Sequence, residues 1–391
     1  MKKKVIVLVS LFAVLILVSV ISVMKVKSTL QSRAEKIETP NIKKEVASLE
    51  KAPSKKKSVF EEEQVVTEEI YPKINLDLGT ISEDVLPKGT VVSVKPVENN
   101  KEWVEIIADP KKGFIEVKYL EPRDIHMSKR EEKRKANLSH DELTKSLDQG
   151  MTDFMATHGG DVSIYIETVD GTYSYGHGSE NVRRTASSIK LPFIAYVMTL
   201  VDQKQLDLNT ELTYTAGFKI DGTGIIQFEP IGTTYTIGKL AELVIRYSDN
   251  VAYLMLLNHV GEQQFIQFLH ELDPLSPNNR VFSTPRILSK AMKYVHDKKD
   301  SSKNINQLYE WMQDSTFDDG VAVGLPGVDV VHKTGWMPMY TVSNDISLVK
   351  DEKNPYYLTI MTSGYDESYS EKSISDLAAI IDDFMLQMKT K

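Results

Sequence analysis

The chain has 391 residues, a formal net charge of −8 at pH 7 and no cysteine. Its length predicts two or three domains, and 41% hydrophobic with 26% charged residues is an ordinary globular balance, able to bury a core. The negative charge argues against a nucleic-acid partner, which calls for cations that replace counterions on phosphates. The missing cysteine excludes disulfides, thiolate metal ligands, a cysteine nucleophile and a lipid-modified N-terminal cysteine.

Lys2, Lys3 and Lys4 precede an apolar run over residues 5–24, interrupted only by Ser10, Ser19 and Ser22. Roughly 20 apolar residues cross a bilayer core as a helix. A cleaved signal peptide has a shorter apolar region, ~7–15 residues, before a small-x-small site, whereas this run ends in Val23-Met24-Lys25-Val26-Lys27. The reading taken is an uncleaved membrane anchor over residues 1–27, single-pass at the cell membrane with the rest extracytoplasmic. A cleaved signal is the alternative, and Lys25, Lys27 and Arg33 blur the orientation.

Residues 28–64 are charged and poor in aromatics, a linker that could not bury enough surface to offset ordering. Over 65–123 the pattern changes to short β-rich runs, Thr90 to Val94 and Trp103 to Ile107, with the turn-like Glu98-Asn99-Asn100-Lys101 between them. With Leu86-Pro87-Lys88-Gly89-Thr90 and Gly113-Phe114-Ile115-Glu116-Val117, this segment resembles a bacterial SH3-like domain. The resemblance implies a small β-barrel and a cell-wall contact; a spacer barrel with Trp103 in its core is the plainer reading. A charged connector, 124–138, follows.

Residues 139–391 have the size of one substantial domain. Ser163 to Val169, Asp170-Gly171 and Thr172 to Tyr175 read as a hairpin with a type I′ turn. Helical stretches follow. Residues 341–350 and 356–363 read as another strand pair, and 374–388 as an amphipathic helix carrying Leu377, Ile380, Ile381 and Phe384. Strands at both ends with helices between predict an α+β domain, one antiparallel sheet flanked by helices.

Three motifs in that domain carry chemistry. Ser187-Ser188-Ile189-Lys190 opens a helical run, and residues three apart on a helix share a face, so Ser187 Oγ and Lys190 Nζ can meet. A serine hydroxyl needs a neighbouring base, and a lysine is one only when burial or nearby positive charge depresses its pKa. Ser248-Asp249-Asn250 interrupts an apolar stretch, where a helix N-cap is the equally simple reading. Lys333-Thr334-Gly335 lies in a β-rich run, where Gly335 on a strand edge leaves room for a substrate backbone.

In this order the three motifs resemble the Ser-x-x-Lys, Ser-Asp-Asn and Lys-Thr-Gly set of class A β-lactamases and penicillin-binding proteins. Ser283-Thr284-Pro285 and Gly324-Leu325-Pro326 are similar to further class A landmarks, and the resemblance covers roughly residues 140–390. It implies the β-lactamase/D,D-peptidase fold, with a helical lobe beside the sheet. It implies Ser187 as nucleophile, Lys190 as the base or as the residue that holds the proton-accepting network, and Ser248 as proton relay. Asn250 would position substrate, Lys333 and Thr334 would bind its carboxylate, and the amides of Ser187 and Trp336 would bind the oxyanion. Gly335 completes the substrate-binding set.

One departure stands out. The class A Glu-x-x-Leu-Asn segment, whose glutamate activates the deacylating water, has no counterpart between Leu269 and Val281. Glu271 and Asp273 are the only acids near, each read as a surface or capping residue. His332 reads as a strand residue pointing away from the site, and the acidic run 314–319 as a solvated loop. No metal or cofactor is expected. The resemblance implies a serine hydrolase acting through an acyl-enzyme on β-lactams or related amides, with a β-lactam or peptidoglycan-derived substrate. The alternatives are a D-alanyl-D-alanine-type peptidase or cell-wall amidohydrolase, and a non-hydrolysing binding or sensing protein.

Overall fold

The computed structural model describes residues 62–389 apart from 69, 77–78, 83–85, 87–88, 99, 108–112 and 318. The anchor reading on 1–27 and nearly all of the linker lie outside the described residues. Among the described residues no helix is long and apolar enough to cross a membrane.

The β-rich N-terminal segment forms strands β1 (Glu62–Val66), β2 (Lys73–Asn75), β3 (Thr80–Ile81), β4 (Val91–Val97), β5 (Asn100–Ile106), β6 (Gly113–Glu116) and β7 (Leu120–Pro122). They make one antiparallel sheet in the order β3-β2-β6-β5-β4-β1-β7. Its core is small: Val66, Leu86, Val92, Val94, Ile106 and Ile115. Trp103 is not part of that core. Its ring is half-buried, with Lys73 Nζ 4.2 Å from the centroid.

The stretch read as a connector is helix α1 (Arg123–Lys133), and it is tied to the following domain by buried charge. The Arg130 guanidinium pairs with the Asp382 carboxylate through both oxygens, and Arg134 Nη2 donates to Asp351 Oδ2 at 2.6 Å. Arg123 Nη2 donates to the Gly327 carbonyl at 2.8 Å while its Nη1 reaches Glu63 at 2.5 Å, so α1 touches both sides. The stretch read as a charged connector thus places Arg130 and Arg134 on partners more than 200 residues away.

Helix α2 (His140–His158) starts on a capping box in which Ser139 and Glu142 exchange hydrogen bonds. It leads into β8 (Asp161–Thr168) and β9 (Ser174–His177). Their turn departs from the type I′ expectation: only Gly171 has a positive φ, 69°. Asp170 instead accepts from the Thr172 amide at 3.0 Å and its hydroxyl at 2.8 Å, which closes a longer loop. Two short pairs follow, β10 (Arg183–Arg184) with β13 (Phe282–Ser283) and β11 (Glu211–Thr213) with β12 (Thr234–Thr236). Strands β14 (Val330–Met337), β15 (Val342–Val349) and β16 (Tyr356–Ser363) complete a five-stranded antiparallel sheet, β14-β15-β16-β8-β9.

One face of this sheet is covered by α2 and by the last helix, Glu367–Met385, around Leu147, Ile164, Ile360 and Leu377. That helix begins earlier than its apolar spacing predicts. Asp366 caps its polar first turn, accepting from the Tyr369 amide at 3.0 Å. The other face carries a helical lobe: α3 (Lys190–Asp202), α4 (Ile237–Arg246), α5 (Asn250–Val260), α6 (Glu262–Leu272), α7 (Pro285–Lys298) and α8 (Lys303–Gln313). Phe193, Phe265, Leu256 and Met292 lie in its core with Ile346 and Tyr357 from the sheet. Helix α3 is apolar all round, as a helix inside a lobe must be. The site lies where this lobe meets β14, an edge strand.

Candidate active site

Ser187 sits in a 3-10 turn, Ala186–Ile189, that runs directly into α3. Ala186 is held at φ 45°, a conformation that non-glycine residues rarely adopt. The turn is pinned from behind. Asn344 on β15 donates to the Arg184 and Thr185 carbonyls at 2.8 and 2.9 Å, and Thr185 Oγ1 donates to the Arg280 and Val281 carbonyls at 3.0 and 3.1 Å. Sequence reasoning missed Asn344; its signal was a polar Ser-Asn-Asp run inside a strand that is buried along its whole length.

Lys190, 2% exposed, is the hub. Its Nζ donates to the Ser248 carbonyl at 2.6 Å and to Asn250 Oδ1 at 2.7 Å, and lies 3.0 Å from Ser187 Oγ and 3.2 Å from Ser248 Oγ. Burial pushes its pKa well down, the Lys333 charge lowers it further, and Asp249 opposes both. A neutral lysine has two N–H groups and one lone pair. The carbonyl and the amide oxygen can only accept, so they take both N–H groups and leave the lone pair for a hydroxyl proton.

Ser248 reaches this position because it is held at φ 49° at the junction of α4 and α5. The N-cap alternative for this motif belongs to its middle residue: Asp249 Oδ1 accepts from the Ala252 amide at 2.9 Å and starts α5. Its other oxygen accepts from the Ile225 and Ile226 amides at 2.7 and 2.9 Å, which fixes the loop facing the site. One residue caps a helix while its two neighbours face Lys190.

Lys333, Thr334, Gly335 and Trp336 lie on β14. The Lys333 ammonium is buried, donates to the Thr334 carbonyl at 2.9 Å, and has its pKa lowered to about 8 by burial, against the opposing charges of Asp319 and Asp345. The room at Gly335 is used differently from the sequence expectation. A Cβ there would come within 2.5 Å of the Ser188 amide and 2.9 Å of the Ser187 amide, so it is the chain's own Ser187 turn that presses on the strand. That approach places the Ser187 amide against the edge that carries the Trp336 amide. His332 does point away from the cavity: it is buried, with Nδ1 2.9 Å from Asp345 Oδ2.

A cavity of about 810 Å3 is lined by Ser187, Lys190, Ser248, Asn250, Thr334, Gly335 and Trp336 among others, while Lys333 is buried behind that lining. Neither Glu271 nor Asp273 lines it. Glu271 is exposed, while Asp273 is buried in ion pairs with Arg286 and Lys290 that hold its carboxyl at about 2 despite burial. From the segment between α6 and α7 the cavity receives Arg280 and Val281, no carboxylate. The acidic run is not simply a solvated loop, since Asp319 lines the cavity and Asp314 pairs with Arg246 at 2.6 Å. Among the described residues no group of three or more His, Cys, Asp or Glu is placed to hold a metal ion.

A helical lobe on an antiparallel sheet, with a serine, a depressed lysine and an edge strand around one cavity, defines a serine acyl-transfer enzyme. The chain belongs to the Beta-lactamase enzyme family, whose model matches residues 146–385, and it is a β-lactamase-like serine hydrolase. A β-lactamase of Bacillus licheniformis is 28% identical over 220 residues, 50% of this chain and 70% of the relative. The β-lactamase SME-1 of Serratia marcescens is 24% identical over 243 residues, 55% and 80% of the two chains. Among solved structures, PBP-A superposes with a TM-score of 0.56 at 21% identity, covering 63% of this chain and 96% of its own. A β-lactamase from Sphaerobacter thermophilus gives 0.54 at 21%, covering 60% and 95%.

Proposed function

We propose that Ser187 attacks the carbonyl of a β-lactam or a related amide while its proton moves to Lys190 Nζ. The observation that carries this is the bonding at Lys190, whose two acceptor-only partners leave a lone pair 3.0 Å from Ser187 Oγ. The tetrahedral oxyanion is received by the Ser187 and Trp336 amides. Ser248 Oγ, 3.2 Å from Lys190 Nζ, passes the proton to the leaving nitrogen. Asn250 positions the substrate amide, and Lys333 with Thr334 receives its carboxylate beside Gly335. The product of this half-reaction is an ester on Ser187.

Resolution of that ester is slow in this reading. No carboxylate from the α6–α7 segment lines the cavity, and lacking a general base typically costs ~10²–10⁴-fold. The same observation favours a second reading, a D-alanyl-D-alanine-type peptidase or amidohydrolase acting on the cell wall. We further propose that residues 1–27 anchor the protein in the cell membrane with the enzyme extracytoplasmic. In the same proposal, the sheet of residues 62–122 is an SH3-like module that contacts the wall.

Intact-mass measurement after mixing with benzylpenicillin, followed over time, tests the proposal. The expected result is one adduct per chain that persists and is absent in Ser187→Ala. Adduct in that variant refutes the nucleophile, no adduct in the wild type leaves a binding protein only, and rapid loss of adduct refutes slow resolution.

A further inference from the structure

The cavity is larger than the reacting groups need, and its mouth has a character of its own. Ile220, Val281 and Met339 are exposed there, Met339 by 79%, and Phe317 lies beside them. Large apolar side chains exposed around a cleft mark a surface that a ligand covers. This mouth is also negative. Asp221, Asp319, Glu367 and Glu371 line it against two basic side chains, Lys190 and Arg280; the buried Lys333 ammonium behind Phe317 offsets Asp319, which leaves Asp221, Glu367 and Glu371 in excess. Arg280 is paired with Glu262 at 3.2 Å, and burial suppresses the charge of Lys190. Asp221 and Glu367 are exposed, and neither side chain makes a hydrogen bond or ion pair among the described residues. Ser187 lines the same cavity, so a ligand that covers the apolar mouth is placed to be the acyl donor that reacts there.

We propose that the preferred substrate carries an apolar acyl group bearing a positive charge, the apolar part on Ile220, Val281, Phe317 and Met339 and the cation on the acidic rim to which Asp221 and Glu367 belong. This rests on the acyl-transfer reading and names its substrate class. The natural amide is then an amino-bearing acyl donor. An acyl group bearing a second carboxylate is disfavoured by the same rim, while the leaving-side carboxylate is still received by Lys333.

Three penicillins that differ at one carbon test it: ampicillin with an ammonium, benzylpenicillin with hydrogen and carbenicillin with a carboxylate. The expected order of second-order acylation rates is ampicillin, benzylpenicillin, carbenicillin, spanning about tenfold at low salt and shrinking at about 0.5 M salt. The double variant Asp221→Asn with Glu367→Gln flattens the series toward equal rates, and Met339→Ser lowers all three by about threefold without changing their order. A flat or reversed order in the wild type overturns the proposal, as does a series unchanged in the double variant. Failure of all three to acylate the wild type overturns the acyl-transfer reading itself, a result distinct from a flat series.

Discussion

Lys190 and Lys333 share one buried site, and burial acts on both in the same direction but with opposite consequences for the reaction. Lys190 must lose its proton to act as a base, and burial together with the Lys333 charge drives that proton off far below the ordinary lysine range. Lys333 must keep its proton to attract a carboxylate, and it holds it only up to about 8. Acylation efficiency, which reports the free enzyme, therefore rises as Lys190 deprotonates and falls as Lys333 does. With a value of about 8, roughly nine-tenths of Lys333 is cationic at pH 7 and roughly a tenth at pH 9, a loss of about tenfold in efficiency. In Lys333→Arg the charge persists across this range, so the descending limb disappears while the ascending limb stays low. The assay is the initial acylation rate with a chromogenic β-lactam below saturation, from about pH 5 to about pH 10. A wild-type profile still rising at pH 9, or a descending limb unchanged in Lys333→Arg, refutes the assignment.

Gly335→Ala drives a methyl into the Ser187 and Ser188 amides. The expected cost is about 1–3 kcal/mol in thermal unfolding with loss of acylation by mass; wild-type acylation would show that the turn yields freely. Arg130→Met strips the partner from buried Asp382 and should destabilise by about 3–5 kcal/mol in urea, with most of it recovered by adding Asp382→Leu. Burial already raises the Asp382 pKa, so the single variant's deficit should shrink at acidic pH, where the stranded carboxyl protonates; an acid-independent deficit counts against an unpaired charge. Glu271→Gln should leave the lifetime of the Ser187 adduct unchanged, because Glu271 is exposed and outside the cavity. A lengthened lifetime would show that it activates the deacylating water.

The sequence by itself determined what is local or periodic. A serine three residues before a lysine on a helix, two strand-length runs near the C-terminus and an apolar stripe on the final helix are each features of a single element. These features were legible as Ser187 with Lys190, as β15 with β16 and as the Leu377 face. The helical lobe and the three-motif order came from the family resemblance. Only the tertiary structure decided what depends on distant segments meeting. Asn344 holds the Ser187 turn from 159 residues along the chain, and Gly335 is small because that turn presses on it. Arg130 looks like one charge in a polar run until Asp382 is brought beside it. The basicity of Lys190 belongs to the same class, because it is set by burial and by Lys333. A pKa is a property of surroundings, and surroundings assembled from far-apart segments exist only once the chain has folded.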